Sequence, residues 1–408
     1  MPIRYVPNEV ANKGFMLATE TTPGTYVTPT KRMMTAFSAT PGIGALKRSQ
    51  DATGGYDRTA TIRRDFADPS GTIGGGATYQ ELAILSQYAI KGGVTGTSDA
   101  NPNVATTYTF APTFNADDIS TFSALFGVDG LPWEATGVRL GEFNISGDAT
   151  SADDQWQLGG TPFLQDAKRY EGFEGVATGG TTGTVVMTGA GWTVNEHQGA
   201  YVFLDYGSGN GEVRQVASNT ADTLTLETAA SSAVVAGDVF YISGLFPSLA
   251  LPNYDVITME GTKIYLDVYN ASASTLGTTE ISDRMLSFNV SQTLNLSNKR
   301  RASGIIARKG RGAREVTGTL RFEYDRWDEY KKWIGDSELS IRIEKTGPAI
   351  NASPLTNHRA RIDIERAVFD TWTEDADNNN MTVSLAFVAL QESPTWAVNV
   401  VTDIATLP

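Results

Sequence analysis

The feature that most constrains this chain is its short-range alternation. Gly137-Val138-Arg139-Leu140-Gly141-Glu142-Phe143-Asn144-Ile145-Ser146 and Lys263-Ile264-Tyr265-Leu266-Asp267-Val268-Tyr269 interleave apolar and polar residues. Ser340-Ile341-Arg342-Ile343-Glu344, Arg361-Ile362-Asp363-Ile364-Glu365 and Met381-Thr382-Val383-Ser384-Leu385-Ala386-Phe387-Val388 do the same. A period of two turns successive side chains to opposite faces, so each run reads as a half-buried strand. Forty-one glycines keep these runs short. The expected fold is mainly β: a β-sandwich or barrel with one or two short flanking helices, plus an inserted small all-β domain.

Helical signals are few. Thr78-Tyr79-Gln80-Glu81 reads as a capping box ahead of Leu82, Leu85 and Ala89. Asp325 is placed to cap a second helix over 326–334, with Trp327, Tyr330, Trp333 and Ile334 on one face and Gly335 as its stop. A third helix is expected over 115–126, closed by Gly127. Three such elements can cover a sheet but cannot build a bundle.

The middle of the chain reads as a separate unit. Residues 175–243 contain four or five short strands, such as Ala200-Tyr201-Val202-Phe203-Leu204 and Thr223-Leu224-Thr225-Leu226, joined by turns rich in Gly and Asn. The expected organisation is therefore a larger β domain in two parts, 1–174 and 244–408, with 175–243 as a small β domain inserted into it.

The two flanking parts repeat one order: strand, basic loop, strand carrying Gly-Thr, helix. In the first, Lys47, Arg48, Arg58, Arg63 and Arg64 precede Gly71-Thr72-Ile73. In the second, Lys299, Arg300, Arg301, Arg308, Lys309, Arg311 and Arg314 precede Val316-Thr317-Gly318-Thr319-Leu320. Each loop reads as a hairpin arm. At about 3.3 Å per residue the second spans roughly 25 Å, enough to reach a neighbouring molecule. These twelve basic residues are the candidate contact sites, read as arms that dock on an acidic face of a neighbour, with a solvated surface loop as the alternative reading.

Composition excludes much chemistry. There is no cysteine, so no disulfide, thiolate metal site or cysteine nucleophile is available. His197 and His358 are the only histidines, and neither has a second ligand at metal spacing. Both read as surface or loop residues. Gly207-Ser208-Gly209-Asn210-Gly211 lacks the lysine and helix of a phosphate loop. The run from Glu374 to Asn380 lacks the central glycine and closing glutamate of a calcium loop, and reads as a polar hairpin turn. No catalytic residue, cofactor or metal is expected, and the chain is not expected to be an enzyme. With 46 acidic against 32 basic residues and a net charge of −14, it is a poor candidate for gripping nucleic acid. No stretch approaches the ~20 apolar residues of a membrane span, and no secretory leader is visible, so a soluble protein made in the cytoplasm is expected, with no membrane insertion. A rival expectation is a carbohydrate- or cell-surface-binding β protein, with Trp192 and Tyr201 in the insertion as a sugar platform.

Three segments carry a resemblance: Arg63-Arg64-Asp65-Phe66 with Gly71-Thr72-Ile73-Gly74 and Leu82; the run from Trp133 to Ser146 with Thr136-Gly137-Val138; and Val316 to Leu320 before its helix. In these the chain resembles the major tail tube proteins of long-tailed bacteriophages with non-contractile tails, over most of its length outside 175–243. The resemblance implies β-sandwiches that assemble into six-membered rings, whose strands join in a continuous barrel and stack into a hollow tube. It implies as partners further copies of the chain, the tape measure, tail terminator and tail tip proteins, and double-stranded DNA passing transiently and non-specifically down the bore. It implies a place in the virion tail after synthesis in the bacterial cytoplasm. The acidic balance fits a bore that repels a polyanion, over a range of about 8 Å at physiological salt.

Overall fold

The structure is a computed structural model. It describes residues 12–50, 60–66, 68–99, 105–113, 118–128, 131–206, 211–247, 249–271, 276–300, 306–352, 355–377, 380–390 and 394–408. Among the described residues the fold is mainly β, with two α-helices and large antiparallel sheets. Two long strands organise it: Leu131–Asp148, of 18 residues, and Leu355–Asp377, of 23. Each belongs to two ladders at once.

The first half of Leu131–Asp148 pairs with Phe122–Val128 and Asp166–Arg169, and its second half with Gln157–Phe163 and Met285–Thr293. The change happens at Gly137, where the register skips between Ala135 and Val138. Gly137 has φ +59°, in the left-handed region that glycine adopts without cost. Its N–H donates to the Glu20 carboxylate at 2.7 Å, and that carboxylate also accepts from Ser123 Oγ at 2.9 Å. Leu355–Asp377 behaves alike. Its first part lies between Leu339–Ala352 and Trp396–Thr402, and its last part, from Ala367, pairs with Asn380–Ala389, with a register shift between Phe369 and Thr371 inside that ladder. The ladders link into one closed barrel.

One run of this barrel positions the candidate site. In order across it lie Ala36–Thr40, Ser70–Gly76, Gln157–Phe163, the second half of Leu131–Asp148, Met285–Thr293, Glu315–Glu323, Asn380–Ala389 and the end of Leu355–Asp377. All neighbours are antiparallel.

Helix α1 (Tyr79–Ala89) packs into the core, and all eleven of its residues are buried. Thr78 caps it, its Oγ1 accepting the Glu81 N–H at 3.1 Å. The expected capping box is half formed. Glu81 Oε2 accepts the Thr78 hydroxyl at 3.4 Å, while its Oε1 accepts the N–H groups of Met34 and Thr35, tying the helix start to the loop before Ala36–Thr40. Burial raises the Glu81 pKa, and these donors partly offset it. Tyr88 packs on Phe122 with ring centroids 4.6 Å apart, and Phe15 stacks on Phe37 at 4.8 Å.

Helix α2 (Asp328–Ile334) starts later than expected. Trp327 holds its N-cap position without a side-chain hydrogen bond, and Asp325 instead accepts from Arg284 Nη1 at 2.8 Å. A charge-assisted bond to a buried guanidinium is stronger than a cap, so the carboxylate goes there. Gly335 ends the helix as expected. The third expected helix is a strand. Phe122–Val128 runs between Asn12–Thr19 and Leu131–Asp148, and residues 114–117 lie outside the described residues. All residues from Phe122 to Phe126 are buried, so the segment has no polar face to offer water as a surface helix would.

Residues 171–243 form a separate seven-stranded sheet, ordered Glu171–Val176, Val239–Ser243, Tyr201–Asp205, Glu212–Asn219, Thr223–Leu226, Thr184–Val186, Gly179–Gly180. It has more strands than the sequence indicates, because its edge strand begins at Glu171 and two glycines add a short strand. It carries its own buried cluster, including Val202, Leu204, Val216, Leu224, Phe240 and Ile242.

Candidate assembly surfaces

Both basic loops are hairpins. Ile43–Gln50 pairs with Ala60–Phe66, and Leu296–Arg300 pairs with Ile306–Arg311, each as a two-stranded sheet outside the barrel. Lys47, Arg48, Arg63 and Arg64 lie on the strands of the first, and Lys299, Arg300, Arg308, Lys309 and Arg311 on those of the second. Arg314 lies at the root of the second, just before Glu315–Glu323. Arg58 and Arg301 fall outside the described residues.

Register gives these hairpins a shared peculiarity. Lys47 stands directly opposite Arg63, and Lys299 directly opposite Arg308. Like charges at opposed positions of an antiparallel pair destabilise it. In sequence, acidic residues occur only in the first hairpin, where Asp51, Asp57 and Asp65 share the segment with its five basic residues. From Leu296 to Arg314 there are seven basic residues and no acidic one. The second hairpin is therefore the more charged of the two, and its own sequence holds nothing to neutralise it.

The two hairpins leave the sheet along the same edge. Thr40 and Ser70, where the first begins and ends, are level with Phe163, and Phe163 with Arg139. Further along the same edge, Glu142 is level with Thr293, and Thr293 with Glu315, which bracket the second.

The opposite edge is acidic. Asp148 pairs with Ser287 there, and Glu323 and Asp375 both lie opposite Thr382. Asp153, Asp283, Asp325, the first residue of α2 (Asp328) and Glu374 of Leu355–Asp377 add to it, all exposed. Basic residues also lie in this region, outnumbered by the carboxylates: Arg284 is buried between Asp325 and Glu329, Arg326 lies 3.8 Å from Asp325, Arg321 stands opposite Ser287, and Lys331 and Lys332 lie on α2. The polar turn expected near Glu374 to Asn380 is the tip of this edge, where Asp377 pairs with Asn380.

A cluster of rings sits beside these carboxylates. Trp327, Tyr330 and Trp333 come from α2 and its N-cap, Tyr324 from just after the strand Glu315–Glu323, and Trp372 from Leu355–Asp377. Their centroids lie 5.2 to 6.3 Å apart. Trp372 Nε1 donates to Glu374 Oε1 at 2.9 Å. Sequence reasoning places three of these rings on one helical face. It misses Trp372, which reaches them through strand pairing, and misses that Glu374 and Asp375 belong to the same corner.

The histidines lie elsewhere. His358 is not a surface residue: it is buried within a strand, stacks near Tyr79 and lies 3.1 Å from Asp255. Burial lowers its pKa against the pull of Asp255 and Asp403. In the inserted sheet, Trp192 is buried against Phe173, Phe240 and His197, so it is core and unavailable as a sugar platform. Among the described residues no helix is long and apolar enough to cross a membrane.

No family model and no curated protein matches the chain. Among solved structures it is similar to one titled "Crystal structure of Hcp protein", at 9% identity and a TM-score of 0.18, over 31% of this chain and 86% of that one. A likeness at that score carries no argument about fold or function.

Proposed function

We propose that this protein is a structural subunit that assembles with copies of itself, side by side into rings and head to tail into a hollow tube: the tail tube of a non-contractile phage tail. The single observation that supports this most is the polarity of the sheet, with two basic hairpins on one edge and a row of carboxylates on the other. A surface whose complement lies on the opposite side of the same molecule makes heterologous contacts, which propagate as rings or filaments instead of closing as a dimer. Charge complementarity then sets register and encounter rate.

In this reading the hairpins bridge successive rings, and six-membered rings enclose a bore down which DNA passes. The tape measure, terminator and tip proteins are the other tail partners, and the inserted sheet decorates the outer surface. The net charge of −14 suits a conduit for a polyanion better than a protein that holds one. Electron microscopy of the purified full chain across a concentration series tests the reading. Rings or tubes that shorten as salt rises are expected. A protein that stays monomeric at every concentration, with or without a preformed tail tip as seed, refutes it.

A further inference from the structure

The self-assembly reading leaves open where the second hairpin lands. Three observations converge on one corner. The aromatic cluster at α2 lies toward the acidic edge, away from the edge that bears the hairpins. It is open to solvent: Trp327 is 63% exposed, Ile334 59% and Met381 46%. Trp327 is the only aromatic residue among the exposed large hydrophobics of the described residues. Met381 belongs to the same corner, since its carbonyl accepts the Tyr324 N–H at 2.9 Å. Large apolar side chains left in water beside carboxylates mark a contact surface more often than a finished exterior.

The chemistry of that corner selects its occupant. Ring faces flanked by carboxylates suit a guanidinium or ammonium, which stacks on the ring while it pairs with the acid. The second hairpin offers such groups in excess, with Lys299 opposed to Arg308 and no acidic residue of its own. A folded neighbour that supplies both rings and carboxylates complements the charge of this sequence.

We propose that the Leu296–Arg311 hairpin of one copy docks on the Trp327–Trp372 corner of the next, with Glu374 and Asp375 as its counter-charges. This rests on the self-assembly reading and adds a specific acceptor to it. The corner is thus a second-copy site; nucleic acid, as a polyanion, is repelled from it.

The absence of cysteine makes a clean test possible. Full-length Glu374→Cys and Lys309→Cys proteins are mixed under mild oxidation. A disulfide-linked dimer is expected from the mixture and not from either variant alone, because the contact is head to tail. Trp327→Ser, with its melting temperature unchanged, is expected to raise the concentration needed for half-assembly by about tenfold or more, as loss of a buried aromatic anchor does. Glu374→Lys with Asp375→Lys is expected to block assembly, and Arg308→Glu with Lys309→Glu in the same chain to restore it. If wild-type protein forms tubes while the mixture gives no cross-link and Trp327→Ser assembles normally, the corner is not the acceptor and the self-assembly reading stands. If wild-type protein forms no rings or tubes, both fall.

Discussion

The helix after the first hairpin and the helix after the second occupy equivalent places in the repeated order and have opposite fates. Ala36–Thr40, hairpin, Ser70–Gly76 and α1 match Met285–Thr293, hairpin, Glu315–Glu323 and α2. Yet α1 is enclosed on all sides, while α2 fully buries only Glu329. One helix completes the barrel's core, and the other caps its acidic end with rings that face water. The same frame thus yields a stability element in one half and an outward-facing surface in the other.

The comparison breaks most sharply at Arg284, a buried tie between α2 and the barrel. Its guanidinium donates to Glu329 Oε1 at 2.7 Å and to Asp325 Oδ1 at 2.8 Å. Arg284→Ala strands the Glu329 carboxylate without its counter-charge, and a loss of about 3–5 kcal/mol is expected in equilibrium denaturation. Next comes a matched pair. Leu85→Ala in α1 removes a fully buried side chain and is expected to cost about 2–5 kcal/mol, whereas Ile334→Ala in α2 should stay within about 0.5 kcal/mol. Equal losses at both sites, measured by urea unfolding, would erase the distinction.

The caps differ in the same sense. Thr78→Ala removes the acceptor for the Glu81 N–H and should cost about 1 kcal/mol. The N-cap position of α2 makes no such bond, so there is none to lose there.

A smaller effect concerns His358, which packs against Tyr79 at the start of α1. Burial holds its folded pKa below the ordinary value of about 6.5. The unfolded chain therefore takes up its proton first as pH falls. The stabilising contribution is complete above about pH 6.5 and is lost as pH drops from there through the folded value. His358→Gln should flatten stability across that window, read as melting temperature against pH.

Much of the fold was legible because strands announce themselves locally. The runs around Leu140, Ile264 and Ile343 alternate, and a half-buried strand needs nothing else. Phe122–Val128 was misread because a strand buried on both faces loses its alternation, and an apolar run then resembles a helix. The hairpins were legible from charge and turn composition. The acidic edge was not: Asp148, Glu323 and Asp375 are more than fifty residues apart in sequence, and only register aligns them. His358 followed the same logic, since its burial comes from a helix nearly three hundred positions earlier.

The smallest expected effect on stability separates the two helices most completely. Trp327 touches Tyr324 and Tyr330 edge-on and otherwise faces water. Removing it gives up little packing, because most of its surface is already hydrated in the monomer. Trp327→Ser should therefore shift unfolding by no more than about 0.5 kcal/mol, against the several lost at Leu85. If α2 exists to present this ring to another copy, the same variant loses assembly while keeping its fold. If α2 is simply a second core helix, stability and assembly must fall together. Melting curves and sedimentation on one sample decide between these, because the two helices then differ in kind and not only in degree of burial.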